Sequence, residues 1–191
     1  MKAPLWFLLG AACGAVIIAA PKAIAHLHAA VNRAQSHNTS AGEARAHTSA
    51  QFEFIANGTM GQVAPLFGAD KERVWADDWN PAFLNPLPPA DQEGMVFTID
   101  HHHRHAVWIN TQLDLRNGHV CYVYVVPDAM ATLIRLRLTP EAEKTRVAVT
   151  YERTALSAEA DAHVLHLADG DRASGLEWEK AVNAYLHQQG K

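Results

Sequence analysis

From Gly94 to Leu156 the chain reads as five successive runs in which apolar and polar residues alternate: "GMVFTID", "AVWINTQLDL", "HVCYVYVV", "ATLIRLRL" and "TRVAVTYERTAL". A period of two sends successive side chains to opposite faces of a strand, so the runs predict five neighbouring strands of one sheet. Asn117-Gly118 is a strong hairpin signal, and Pro127-Asp128 and Pro140-Glu141 mark the next two turns.

Alternate residues sort into two faces. Val107, Ile109, Leu113, Val123, Val125, Ile134, Leu136, Leu138, Val147, Val149 and Tyr151 form one almost wholly apolar set. The opposite set holds Asn110, Gln112, Asp114, Arg135, Arg137, Arg146, Thr150 and Glu152, with Trp108, Tyr122 and Tyr124 laddered among them. One dry and one wet face describe an antiparallel sheet covered on a single side.

The flanks supply the cover. "QFEFIAN" (51–57) alternates as a first strand, and "GQVAPLFGADKERVWADDWNP" has helical spacing at Val63, Leu66, Phe67 and Val74. Two short helices are expected there, the second with Asp70 as N-cap. Four prolines between Pro81 and Pro89 predict an extended, irregular crossing. After Ser157, Leu176, Trp178, Val182, Tyr185 and Leu186 make one stripe at spacings of three and four, the mark of a long amphipathic helix, broken near Gly170. A one-sided sheet closes on such a helix by curling around it, which is an α+β fold with the helix gripped by the sheet.

The 191 residues, 49% hydrophobic and 19% charged, suffice for one folded domain with extensions. Residues 1–25 read as an export signal: one lysine, an uncharged run from Leu5 to Ala20, then the small-x-small site Ala23-Ile24-Ala25. The alternative is a retained membrane anchor over residues 5–20, slightly shorter than the about 20 residues that span a bilayer. The expected location is periplasmic or secreted, or tethered to the membrane. Residues 26–50, rich in Ala, His, Ser and Asn, read as a tether, and 51–191 as the domain. Without residues 1–25, 14 basic residues face 20 acidic ones, and no basic patch points to nucleic acid. Cys13 falls in the signal core and Cys121 in a strand, so an intrachain disulfide is not expected.

Residues 51–189 resemble the START-like SRPBCC superfamily, including its polyketide cyclase/dehydrase and lipid-transport branch. "PLFGADKERVWADDWNP", "EGMVFT", "AVWINTQLD" and "VTYERTALSAEA" carry the resemblance. It implies a helix-grip fold with a cavity between the curled sheet and the last helix, which in many members holds a hydrophobic small molecule or lipid. Aromatases, cyclases and chaperone activators share the fold, so it does not settle the activity.

The inward set offers little chemistry: Tyr151, Cys121 and Thr111 are its obvious polar members, a poor acid–base set. The sequence has no Gly-x-Ser-x-Gly elbow and no phosphate loop, and it implies no cofactor. "HHHRH" (101–105) reads as a polar hairpin loop, with His101, His103 and His105 as an alternative metal site. His163 and His166 share a helical face that reads as solvated. Trp75 and Trp79 in "WADDWNP" either close the end of the core or line a cavity mouth.

The function expected from these features is non-covalent binding or carriage of a small hydrophobic molecule or lipid. The expected lining is Phe97, Val107, Ile109, Val123, Ile134, Leu136, Val149 and Tyr151, with Trp178 and Val182 from the helix. Alternatives are a cyclase or aromatase-type enzyme and a metal-handling protein. A β-bulge would invert some of these face assignments.

Overall fold

The five alternating runs fold into five strands: β3 (Val96–His101), β4 (Arg104–Asp114), β5 (His119–Val126), β6 (Met130–Glu141) and β7 (Lys144–Ala155). Two more, β1 (His47–Ala56) and β2 (Ala82–Asn85), complete one curled antiparallel sheet in the order β1-β7-β6-β5-β4-β3-β2. This computed structural model describes residues 44–101 and 104–190. The signal or anchor expected at 1–25 lies outside the described residues, as does most of the tether at 26–50.

Between β1 and β2 the chain makes a helical turn, α1 (Met60–Val63), and two 3-10 turns, Ala64–Phe67 and Lys71–Val74. After β7 come α2 (Asp161–Ala173) and α3 (Gly175–Gln189). The break in the helical tail falls at Ser174, four residues beyond Gly170. α2 packs against β1 and β7, and α3 against β1. Asn183 on α3 fastens the end of β1: its Nδ2 donates to the Ile55 carbonyl at 2.9 Å, and its Oδ1 accepts the Asn57 N–H at 2.7 Å. Leu176, expected on the buried stripe, is 79% exposed.

Local chemistry accounts for the turns. Gly118 has φ +72°, and a Cβ there would lie 2.3 Å from the Leu138 carbonyl oxygen, so glycine is required twice over. The proline-rich crossing contains β2, an edge strand paired with β3 from Ala82↔Thr98, where a missing N–H nearby is tolerated.

One strand boundary differs from expectation. β1 starts at His47, not Gln51, because Ser49 and Ala50 already ladder with Glu152 and Tyr151 of β7. The Ala46 N–H also donates to Asp161 Oδ1 at 2.8 Å. Small polar side chains concealed a strand whose stability comes from main-chain pairing.

The larger correction concerns faces. Ile134, Leu136, Leu138, Val147 and Val149 are buried on the core side. On β4 and β5, however, the core side carries Ala106, Trp108, Asn110, Val120, Tyr122, Tyr124 and Val126. Val107, Ile109, Val123 and Val125 lie on the outer face, with Ile109 39% exposed. On β4 the cause is a bulge: Thr111 and Gln112 together oppose Cys121, so parity counted back from Leu113 is inverted before the bulge. On β5 both faces are apolar, and the larger tyrosines take the core.

A cavity walled by indoles and a buried carboxyl

The core face of the sheet and the helical cover enclose a cavity of about 550 Å³. The segment after α1 contributes Glu72, Trp75, Ala76, Asp78 and Trp79; β4 to β7 contribute Ala106, Trp108, Tyr124, Val126, Met130, Ile134, Tyr151 and Arg153; the helices contribute His163, Leu167 and Trp178. Glu72, Trp75, Ala76 and Trp79 stand at helical spacing, which turns them to one side.

Their placement follows from carbonyls that the 3-10 turns leave without helical partners. Trp75 Nε1 donates to the Leu66 carbonyl at 2.7 Å and Trp79 Nε1 to that of Ala69 at 2.6 Å. From β5, the Tyr122 hydroxyl donates to the Phe67 carbonyl at 2.7 Å. With their polar edges satisfied, the rings pack. Trp108 stacks on Tyr124 with centroids 4.1 Å apart, Trp79 meets Trp108 edge-on at 5.3 Å, and Trp178 meets Trp75 edge-on at 5.4 Å. The Trp108 indole N–H is buried and has no partner among the described residues.

Arg153 and Asp171, both buried, form a fork-to-fork pair: Nε donates to Oδ2 at 2.7 Å and Nη2 to Oδ1 at 2.6 Å. Arg153 Nη1 donates to the Tyr124 hydroxyl and, at 3.1 Å, to Thr132 Oγ1. Its guanidinium lies 4.8 Å from the Tyr151 ring centroid. Burial opposes the charge, but the hydrogen bonds to Asp171 and the neighbouring oxygens outweigh it and hold Arg153 ionised. Burial also pushes the Tyr151 phenol well up, keeping it neutral.

Glu72 differs from Asp171. It is 5% exposed as a residue and lines the cavity, and its carboxyl oxygens are not among the buried polar atoms left without a partner. Burial raises its pKa well above the usual carboxylate range, and the negative charge of Asp91 raises it further. Asp91 is held in place by the N–H groups of Asp70 (2.7 Å) and Lys71 (3.2 Å). It sits so close to Gly68 that a Cβ there would come within 2.4 Å of its carboxylate.

No family model and no curated protein matches the chain in sequence. Solved structures do match in fold. Norcoclaurine synthase from Thalictrum flavum, crystallised with dopamine and hydroxybenzaldehyde, gives a TM-score of 0.57 at 7% identity over 76% of this chain and 89% of that one. The hypothetical protein jhp0584 of Helicobacter pylori gives 0.57 at 11% identity over 76% and 90%. The Mll3558 protein of Rhizobium loti gives 0.52 at 17% identity over 75% and 99%. The chain has the helix-grip α+β fold that these structures share. At these identities the likeness is one of fold.

Within this helix-grip fold, the structure distributes the expected lining residues unevenly. Ile134, Tyr151 and Trp178 line the cavity. Phe97, Leu136, Val149 and Val182 are buried in the same core without lining it. Val107, Ile109 and Val123 belong to the opposite face and are replaced by Ala106, Trp108 and Tyr124. Cys121 is also on the outer side, half-buried.

Trp75 and Trp79 serve both roles weighed for them, packing into the core and lining the cavity. Alternation alone does not single out Arg153 and Asp171, although Arg153 follows Tyr151 by two on the same face and Asp171 continues the buried stripe of Val164 and Ala168.

The metal alternative gains no cluster: among the described residues no three metal-ligating side chains converge. His105 Nδ1 lies 2.6 Å from Asp100 Oδ1, both exposed, while the side chains of His101, His102 and His103 lie outside the described residues. Among the described residues no helix is long and apolar enough to cross a membrane.

Proposed function

We propose that the protein binds and carries a small hydrophobic or amphipathic molecule in the sheet-helix cavity without covalent chemistry. The observation that carries this reading is the wall itself: about 550 Å³, bounded by four indoles and two phenols, with its one ion pair internally compensated. The volume falls within the about 300–1,000 Å³ usual for small-molecule sites, and an aromatic lining with few polar groups suits burial of an apolar body. Native mass spectrometry of the full chain, purified without a His-tag or added metal and followed by denaturing extraction, tests it. A stoichiometric organic adduct is expected. A bare chain that also fails to take up apolar probes would overturn the reading.

One observation favours a second reading, an acid–base enzyme of the cyclase or aromatase type. Burial first, and then the charge of Asp91, raise the pKa of the Glu72 carboxyl, which favours the protonated form that a general acid needs. On that reading Glu72→Gln abolishes turnover of a hydrophobic substrate while leaving its binding intact. Residues 1–25 support action outside the cytoplasm or at its membrane. The intact mass of the chain from its own cell checks this, with loss of those residues expected for export.

A further inference from the structure

Resting on the binding reading above, we infer that the ligand carries a basic nitrogen, which docks as a cation against Glu72 among the indoles. The charges around the cavity are unbalanced in a way that such a group corrects. Glu72 and Asp78 are in the wall, and Asp91 stands behind Glu72. Among the described residues the permanent cation in the wall is Arg153, and its Nε, Nη1 and Nη2 are occupied by Asp171, Tyr124 and Thr132. No positive group is left for Glu72, and the charge that bears on it most is the like charge of Asp91.

A largely buried carboxyl that lines the cavity beside a like-charged neighbour is stabilised as a carboxylate by a cationic donor. An ammonium supplies both the charge and the N–H, and such a charge-assisted hydrogen bond is roughly twice as strong as a neutral one. The rest of the wall favours the same ligand. Trp75, Trp79, Trp108 and Trp178 surround the space with π systems, whose electron-rich faces attract organic cations. An anionic head group would meet Asp78 in the wall, with Asp91 near Glu72, and be repelled.

Binding then moves one proton. Burial and Asp91 favour the acid form of Glu72 in the free protein, and an incoming ammonium favours the carboxylate paired with the cation, so that a proton held on Glu72 passes to solvent. The other groups that bear on Glu72 are Asp91 before β3, Tyr122 on β5 and Tyr151 on β7; Asp78, His163 on α2 and the Arg153–Asp171 pair share the cavity wall or back it. Burial holds both tyrosines neutral, and Arg153 stays charged.

The test uses two probes of one shape, 2-naphthylethylamine and 2-naphthylethanol, titrated calorimetrically into the full chain in buffers of different ionisation heat. The amine is expected to bind about tenfold or more tighter than the alcohol, a gain of about 1.4 kcal/mol or more, with net proton release. Glu72→Gln is expected to abolish the preference and the proton release, with circular dichroism and urea unfolding showing that the variant folds. Equal affinity for the two probes, or a preference that survives in the Glu72→Gln variant, overturns the amine assignment and leaves the cavity reading standing. If neither probe binds, both fall.

Discussion

Strands β6 and β7 alternate as regularly as β4 and β5, but the two pairs of strands declare their faces differently. On β6 and β7 the outward side carries Arg135, Arg137, Arg146 and Thr150, with Arg135 donating to Glu152 at 2.8 Å and Arg146 to Glu141 at 2.6 Å. Charges on one side leave only the other for the core. On β4 and β5 the outward side carries Val107, Ile109, Val123 and Val125, and the inward side Ala106, Trp108, Val120, Tyr122 and Tyr124. Both are apolar, so polarity does not choose. Ring area chooses, together with the partners that each polar tip can reach, as Tyr122 reaches the Phe67 carbonyl. A period of two reveals that faces exist; only a contrast in polarity reveals which one is dry.

The contrast can be broken most severely where β7 violates its own rule and turns a charge inward. Asp171→Ala strands the Arg153 guanidinium in the core and is expected to cost up to about 5 kcal/mol, read by urea unfolding. Replacing both partners by apolar residues, Arg153→Met with Asp171→Leu, should recover most of that loss. Full stability in the single variant would mean that the pair is not buried as described.

On β4 the inverted parity makes neighbours unequal. Trp108→Ala should cost about 3–4 kcal/mol, and Ile109→Ala less than about 1 kcal/mol, in the same unfolding assay. Equal costs would restore the face assignment expected from alternation.

Glu72 sharpens the comparison with the compensated Asp171. Its folded pKa is raised, so the native state holds a proton that the unfolded chain has already lost. This contribution to stability is therefore greatest at low pH. It declines by about 1.4 kcal/mol per pH unit from the ordinary carboxylate value up to the raised one. Subtracting the pH profile of the Glu72→Gln variant isolates that slope, and a flat difference would show that Glu72 ionises normally.

The smallest effect is expected from deleting Thr111. Without it, Gln112 alone opposes Cys121 and every other β4 residue keeps its face, so stability should change by only about 1 kcal/mol or less. Loss of cooperative unfolding would mean that the bulge itself, not the residues around it, sets the register.

Parts of the site were within reach of the sequence. Glu72, Trp75, Ala76 and Trp79 share helical spacing, Arg153 shares the parity of Val149 and Tyr151, and Asp171 lies three residues past Ala168 on an apolar stripe. An arginine and an aspartate, each on a face otherwise apolar, are what a buried pair looks like before folding. Nothing local shows that they meet, because β7 and α2 converge only when the sheet curls. The early start of β1 at His47 was hidden for a similar reason: its small side chains advertise no core, and its stability lies in backbone hydrogen bonds to β7.

By itself the sequence determined the elements: strands from Val96 to Ala155, their hairpin order and a helical tail, and hence a one-sided antiparallel sheet with a helix to cover it. These are consequences of backbone geometry, which repeats every two or 3.6 residues whatever surrounds it. The tertiary structure decided which side of β4 and β5 is the core, that Arg153 pairs with Asp171, and that Glu72 is left with Asp91 and no cation. Burial and charge pairing depend on residues far apart in the chain. Their energies therefore come into being only when those residues are brought together out of water.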